Sequence, residues 1–241
     1  MKVFSVTDKG RVRQLNEDYY YLPVKGEHFA AVADGMGGHA AGEVASYTAI
    51  TTAAKILRRD RNAEPKAALL EAFRTAHEQV CRAAKEQPGR EGMGTTLTLL
   101  LMENDTAYLG HVGDSRAYRL RGGVLEQMSE DHSYVEELVK SGIITRQQAR
   151  SHPKRNIITR CIGVYPDVEA DILSFPAEPD DVWLLCSDGL TGYLTDEELE
   201  QQLLKTDLSW QEKLNGLRDT ALQRGGADNI TAVIVTGGPD E

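Results

Sequence analysis

Four aspartates stand where apolar runs meet turns, and these residues are the ones best suited to chemistry. Asp34 follows Phe29–Ala33, Asp114 ends Tyr108–Asp114, Asp188 ends Val182–Asp188, and Asp228 directly precedes Asn229–Val235. If these four segments are core strands, their carboxylates can meet at one rim. Carboxylates that close together repel one another unless cations balance their charge. Because every ligand on offer is an oxygen, the pattern favours hard divalent ions such as Mg²⁺ or Mn²⁺ over zinc.

The simpler interpretation is four unrelated turns, since Asp-Gly is a common turn dipeptide and Gly35 and Gly189 follow two of these aspartates. Recurrence of the arrangement favours the metal interpretation. Two ions about 3.5–4 Å apart turn a bridging water into hydroxide at neutral pH, which can attack a phosphorus or carbonyl centre. Arg13, in the polar loop Gly10–Asp18, is either a solvated loop arginine or a bidentate phosphate ligand beside such ions.

Other hydrolytic chemistries lack their motifs in this sequence. It contains no Cys-x5-Arg, no DxDxT, no GxxxxGK[ST] and no GxSxG. Gly35–Ala40 does match the dinucleotide-binding pattern G-x-G-x-x-A, with Asp60 at a suitable distance beyond it. Against that alternative, the following helix leads to a second helix instead of a parallel strand, and Asp34 places a negative charge where a pyrophosphate would lie.

Composition restricts the remaining possibilities. The 241 residues are 41% apolar, which suits a well-cored globular protein, and the net charge of −10 argues against nucleic-acid binding. The three cysteines have no metal or disulfide spacing, so a reducing cytoplasm is expected. No apolar stretch is long enough for membrane insertion. A monomer is expected because the sequence shows no excess apolar stripe.

Hydrophobic patterns predict which elements position the aspartates. Strands are predicted over Lys2–Asp8, Tyr19–Pro23, Thr95–Met102, Thr106–Val112, Ser115–Leu120, Val124–Met128, Asp171–Phe175, Val182–Cys186 and Asn229–Val235. Helices are predicted over Gly42–Arg59 and from about Pro65 to Lys85, with two more beginning at Thr195 and Ser209. Because the helices come in pairs and several strands follow one another directly, the sequence predicts an α+β fold with antiparallel sheets covered by helices.

Ser133–Ile162 differs from its surroundings, with short helical pieces, a capping-box pattern at Thr145–Gln148 and a basic stretch at Lys154–Arg160. It is predicted to be a mobile excursion near the site. We refer to it as the flap segment. One domain over residues 1–237 is expected, with the flap segment inside it and a short tail at 238–241.

Six motifs occur in order along nearly the whole chain: SVTDKGRVRQLNED (Ser5–Asp18), VADGMGGHAAGEVAS (Val32–Ser46), GTT (Gly94–Thr96), VGDSRAY (Val112–Tyr118), CSDGLTG (Cys186–Gly192) and ADNITAVIV (Ala227–Val235). Together they resemble a known family, the metal-dependent PPM (PP2C-type) protein serine/threonine phosphatases, and in particular its bacterial Stp/PrpC type. The resemblance implies a single-domain β-sandwich of two antiparallel sheets flanked by helix pairs. It also implies hydrolysis of phosphoserine and phosphothreonine by a metal-bridging hydroxide, with no phosphoenzyme.

The resemblance further implies roles for individual residues. Asp34 would bridge two metal ions, the Gly35 carbonyl would bind one of them, and Asp188 and Asp228 would complete the other. Asp114 with Asp188 would hold a third ion. The resemblance also implies that Glu17 and Asp18 orient metal-bound waters, that Arg13 binds the substrate phosphate, and that His39 is the general acid.

The implied partners are phosphorylated proteins, namely a cognate bacterial Ser/Thr kinase and its substrates. Two alternatives stay open at this point. One is a relative dedicated to a single regulatory phosphoprotein, and the other is a metal-regulated module that binds phosphoproteins without turnover. Intact Arg13, Asp34, Asp188 and Asp228 favour the active enzyme.

Overall fold

The computed structural model describes residues 1–37, 41–59 and 63–237. The strands in these ranges are β1 (Lys2–Asp8), β2 (Asp18–Tyr21), β3 (Phe29–Met36), β4 (Gly94–Thr95), β5 (Leu97–Glu103), β6 (Thr106–Val112), β7 (Arg116–Arg121), β8 (Val124–Gln127), β9 (Asp171–Pro176), β10 (Val182–Cys186) and β11 (Ile230–Thr236). The helices are α1 (Gly42–Arg59), α2 (Pro65–Glu86), α3 (Tyr134–Lys140), α4 (Arg146–Arg150), α5 (Asp188–Thr191), α6 (Asp196–Leu203) and α7 (Trp210–Gln223).

The strands form two sheets. One has the order β1-β11-β10-β7-β8, and the other has the order β2-β3-β5-β6-β9 with β4 paired to β3. The strand pairs of the described residues are all antiparallel. The predicted α+β fold with two antiparallel sheets is therefore confirmed.

The sheets pack face to face and carry helices on their outer faces. Between the sheets lie buried side chains that include Val32, Leu100, Trp183 and Val233. Helices α1 and α2 cover the β3-β5-β6 face through a cluster that includes Ile50, Leu69, Phe73 and Leu99, and α6 and α7 cover the other sheet through Leu199, Leu217 and Ile234. Residues 232–235 of β11 enter the outer and inner clusters in turn, which is why this part of the strand is a continuous apolar run.

Local signals fix the helix starts. Pro65 occupies the first turn of α2, where its missing N–H costs nothing. Thr145, Thr195 and Ser209 each form a capping box with the side chain three residues on, as the sequence predicted. These boxes satisfy backbone groups that a helix terminus otherwise leaves without partners.

Several boundaries or elements differ from the prediction, among them the predicted strand Thr95–Met102, which is divided at Thr96 into β4 and β5. Strand β3 continues past Asp34 to Met36, because Gly35 and Met36 pair with Thr95 and Gly94 of β4. The predicted turn after Asp188 is the short helix α5. Strand β2 starts and ends earlier than predicted, and β11 is shifted by one residue. The tail at 238–241 lies outside the described residues.

Within the described ranges, no helix combines the length and apolar character needed to cross a bilayer.

Candidate functional site

The predicted site residues come from both sheets and lie at one end of the sandwich. Asp34 of β3 faces Asp18 of β2 directly across the antiparallel ladder. On the other sheet, β10 ends before Asp188 and β11 begins after Asp228, and these two strands are antiparallel neighbours. The sheets are joined at this end by the Ser187 hydroxyl, which donates to Asp18 Oδ2 at 2.7 Å.

The backbone of Asp34 is held by the Gly94–Thr96 motif. Its N–H donates to Thr96 Oγ1 at 2.8 Å, and its carbonyl oxygen accepts from the Thr96 N–H and from Thr95 Oγ1, each at 2.9 Å. Thr96 Oγ1 in turn lies 2.8 Å from Ser115 Oγ, beside Asp114. The two threonines therefore fix the position from which the Asp34 carboxylate extends.

Arg13 lies against Asp228 at the rim. Its Nη2 donates to Asp228 Oδ2 at 2.8 Å, and its Nη1 is 3.6 Å from Glu17 Oε2. The hydrogen bond to Asp228 raises the pKa of the Arg13 guanidinium. Because the Arg13 side chain keeps 46% exposure, its guanidinium is available to an incoming anion.

Asn229 orders the loop that carries Arg13. Its Oδ1 accepts from the Glu17 N–H at 2.8 Å, and its Nδ2 donates to the carbonyl oxygens of Lys9 and Leu15, each at 2.9 Å. Sequence reasoning gave no role to Asn229, Ser187 or the two threonines. Their only signal was their place inside the quoted motifs.

Glu17 and Gly35 lie where β3 approaches helix α1. The Gly35 N–H donates to the Glu17 carbonyl oxygen at 3.1 Å, and the Glu17 carboxylate accepts from the Gly42 N–H at 3.2 Å. Ser46 donates to the same Glu17 carbonyl at 2.6 Å. Glu17 is therefore fixed to the first turn of α1, at the edge of the aspartate cluster.

Burial and the charges of neighbouring carboxylates raise the pKa values of the site aspartates. Burial, followed by the charges of Asp18 and Asp188, raises the pKa of Asp34 well above its ordinary value. Burial and the charge of Asp188 do the same for the pKa of Asp114. Burial raises the pKa of Asp18 to about 7, despite hydrogen bonds from Thr231 and Ser187. Burial and the charge of Asp228 raise the pKa of Asp188. Such mutual shifts are typical of functional sites.

Two carboxylate oxygens in this cluster, Asp18 Oδ1 and Asp188 Oδ1, are buried without a hydrogen-bond partner among the residues that the structure describes. A buried charged oxygen of this kind is costly unless a cation or donor satisfies it. The residue after Asp188 is Gly189, and it packs directly against the backbone of Asn229. A Cβ at Gly189 would lie 1.9 Å from the Asn229 carbonyl oxygen, so only glycine permits this close approach.

The donor set therefore fits hard divalent cations, which prefer carboxylate and carbonyl oxygens. Within the described ranges, no group of three or more His, Cys, Asp or Glu side chains is already arranged to hold one metal ion. The fit thus depends on the oxygen chemistry, the two buried oxygens and the repulsion among the carboxylates.

The flap segment borders this site. A cleft of about 290 Å³ is lined by Asp114 and Asp188 together with Glu136, Arg146 and Arg150 of the flap segment. Arg150 donates to the carbonyl oxygens of Thr191 and Leu194, at 3.2 and 3.0 Å, and so attaches α4 to the segment between α5 and α6. His39 lies outside the described residues, so its predicted role has no structural counterpart here.

Comparison with known proteins gives consistent matches. The sequence model of a family described as Protein phosphatase 2C matches residues 8–225. The chain is 40% identical to the serine/threonine protein phosphatase PstP of Mycobacterium tuberculosis over 228 residues, covering 95% of this chain but 43% of that protein. It therefore spans less than half the length of that relative.

Two further comparisons cover nearly the full length of both chains. The serine/threonine phosphatase stp of Listeria welshimeri is 37% identical over 235 residues, covering 95% of this chain and 93% of the relative. The crystal structure of the PstP catalytic domain in complex with two manganese ions is 37% identical, with a TM-score of 0.87 and coverage of 97% and 96%.

Proposed function

The chain belongs to the protein phosphatase 2C family, and on that premise we propose that it hydrolyses phosphoserine and phosphothreonine in proteins with the help of divalent cations. The observation that carries the proposal is the aspartate cluster, in which burial and the charges of neighbouring aspartates raise the pKa values of Asp34, Asp114 and Asp188 at a rim that also holds Arg13. A manganese-bound relative supports the same assignment.

We propose that Asp34, the Gly35 carbonyl, Asp188 and Asp228 hold two Mn²⁺ or Mg²⁺ ions, and that Asp114 with Asp188 holds a third. When bound, such ions lower the pKa of coordinated water and neutralise charge on a phosphoryl group, so that no phosphoenzyme is needed.

The chain's own residues position the reactants. Arg13 extends from a loop ordered by Asn229 and presents a planar guanidinium that matches phosphate oxygens. Glu17 and Asp18, held by the Gly42 N–H and the Ser187 hydroxyl, offer carboxylate oxygens that can orient water. The proton needed by the departing seryl or threonyl oxygen is assigned to His39, which remains a prediction.

The substrate chemistry identifies a class of partner. Phosphoserine and phosphothreonine proteins are products of protein kinases, so we propose that this chain reverses a Ser/Thr kinase. The kinase and its targets are then the expected partners.

The test is hydrolysis of a phosphothreonine peptide by chelator-treated protein, with Mn²⁺ or Mg²⁺ added back. Asp34→Asn and Asp188→Asn are compared with Asp219→Asn, which changes an exposed carboxylate on α7. Activity that returns with metal and is lost only in the two site variants supports the proposal. A folded wild-type protein without activity under either metal overturns it and favours a phosphoprotein-binding module.

A further inference from the structure

His132 binds the residue that precedes Asp114 from two directions. Its ring Nδ1 accepts from the Gly113 N–H at 3.1 Å, and its own N–H donates to the Gly113 carbonyl oxygen at 2.7 Å. The side chain is buried, with the residue only 4% exposed. Both polar groups of Gly113 are therefore satisfied by one residue.

The turn at Gly113 has little freedom to compensate for loss of these bonds. Gly113 adopts φ +113°, and a Cβ there would lie 2.5 Å from Thr96 Cγ2. Asp114 comes next and is itself buried. The direction of its carboxylate thus depends on how the Gly113 peptide is held.

The His132 ring is oriented from its other nitrogen. Because Nδ1 accepts a hydrogen bond, the neutral ring carries its proton on Nε2, which lies 3.2 Å from Asp171 Oδ2. Asp171 Oδ1 is 3.3 Å from Arg160 Nη1, at the end of the flap segment. The His132 carbonyl oxygen also accepts from the Thr159 N–H at 2.8 Å.

We propose that His132 is a positioning residue that fixes the Gly113 peptide so that the Asp114 carboxylate is directed at the cation it shares with Asp188. The inference rests on the proposed function, because it concerns the third of the cations assigned there. Groups that orient a metal ligand from outside its ligand shell change metal affinity by about 10–100-fold when removed.

Two substitutions at this position separate the two ring nitrogens. His132→Gln keeps a polar group near the Nε2 position but has no acceptor for the Gly113 N–H. His132→Asn keeps an acceptor near the Nδ1 position and loses the contact to Asp171. His111→Gln is the matched control, since His111 is also buried, its ring centroid lies 4.9 Å from that of His132, and it bonds Thr98 and Glu130 instead of Gly113.

The experiment is a Mn²⁺ titration of chelator-treated protein by calorimetry. Asp114→Asn should abolish or weaken the binding of one Mn²⁺ ion. His132→Gln should lower the affinity for the same ion by about tenfold or more. The double variant should bind no worse than Asp114→Asn alone, because both changes act on one ion. His132→Asn should lower the affinity for this ion by about threefold, and His111→Gln should bind Mn²⁺ as the wild type does.

Asp171→Asn keeps the test decisive if His132→Gln does not fold, because Asp171 is partly exposed and its loss releases only the outer side of the ring. Asp171→Asn should lower the affinity for the Asp114-dependent ion by about threefold, and it should have no further effect on Mn²⁺ binding in the Asp114→Asn background. Unchanged Mn²⁺ binding in His132→Gln, or in Asp171→Asn where that variant is used, overturns the inference alone. Absence of Mn²⁺ binding in the wild type overturns the proposed function and this inference together.

Discussion

Asp18 and Asp34 lie directly opposite each other on β2 and β3, so two carboxylates of the site are cross-strand neighbours. Like charges in this position destabilise a sheet by up to about 1 kcal/mol. The fold keeps the pair because Ser187 donates to Asp18 from the other sheet and because threonines hold the Asp34 backbone. Repulsion between these two site carboxylates therefore lowers the stability of the sheet that carries them.

The contribution of Asp18 to stability in the presence of a chelator should fall as pH rises from about 4 to about 7, which opposes the contribution of His111 described below. The pKa of Asp18 is about 7 in the folded protein against an ordinary value of 3.8, so over this range the folded state holds a proton that the unfolded chain has released. Asp18→Asn should flatten this dependence in urea denaturation at a series of pH values. An equally steep fall in the variant would show that other groups are responsible.

Asp188→Asn should separate activity from stability. Loss of a proposed metal ligand should reduce peptide hydrolysis by more than about a hundredfold. In chelator the same variant should melt at a higher temperature than the wild type, because the buried carboxylate that Asp228 repels is replaced by a neutral amide. A lower melting temperature in chelator would contradict the view that this carboxylate strains the fold.

Arg13→Ala should raise KM for a phosphopeptide by about 10–100-fold and change kcat less, since a charge-assisted bidentate contact to phosphate is removed. The KM of Arg13→Lys should lie between those of the wild type and Arg13→Ala, because an ammonium keeps the positive charge but cannot make that planar contact. Arg11→Ala, an exposed arginine in the same loop, is the control. Equal effects at both arginines would point to general attraction by positive charge.

His111 should make the protein less stable in mild acid. Burial, helped by His132, lowers the pKa of His111 to about 4, whereas in the unfolded chain it titrates near its ordinary 6.5. Between these values only the unfolded chain takes up the proton, so stability falls as pH falls, by up to about 3 kcal/mol.

His111→Gln removes this dependence. The variant should be less stable than the wild type at pH 7.5, and the difference should shrink as pH falls towards 5, measured by urea denaturation. His28→Gln, at an exposed histidine, should show no such convergence. A difference that stays constant with pH would exclude His111 as the cause.

Gly189→Ala should abolish activity and destabilise the protein by several kcal/mol, about the cost of an overpacked core position or more, because the new Cβ would lie 1.9 Å from the rigid Asn229 carbonyl oxygen. Gly216→Ala is the matched control within α7. There the nearest atom belongs to the flexible Gln202 side chain, and alanine favours the helix by up to about 1 kcal/mol. Similar thermal unfolding of the two variants would contradict this account.

Local patterns predicted most of the fold. Capping boxes at Thr195 and Ser209 and the apolar period of α1 depend on neighbouring residues, and they appear where the sequence indicated. The extension of β3 and the helix α5 were missed, because pairing with β4 and packing of Gly189 against Asn229 join residues far apart in the chain.

The same division applies to the site. The aspartates were identifiable because each ends or begins an apolar run. The groups that hold them, such as Ser187 on Asp18 and Asn229 on the Glu17 backbone, act across sequence separations of 169 and 212 residues. Nothing in a local pattern indicates such partners, so only the resemblance to a family marked these residues at all.

The pairing of β1 also bears on when the proposed activity can begin during synthesis. Within the described residues, β1 pairs with one strand, β11, which directly follows Asp228. Arg13 and Asp228 likewise meet across a separation of 215 residues. A nascent chain therefore holds β1 without this partner until β11 has left the ribosomal tunnel. The proposed activity needs both Arg13 and Asp228, so it can start only after that point.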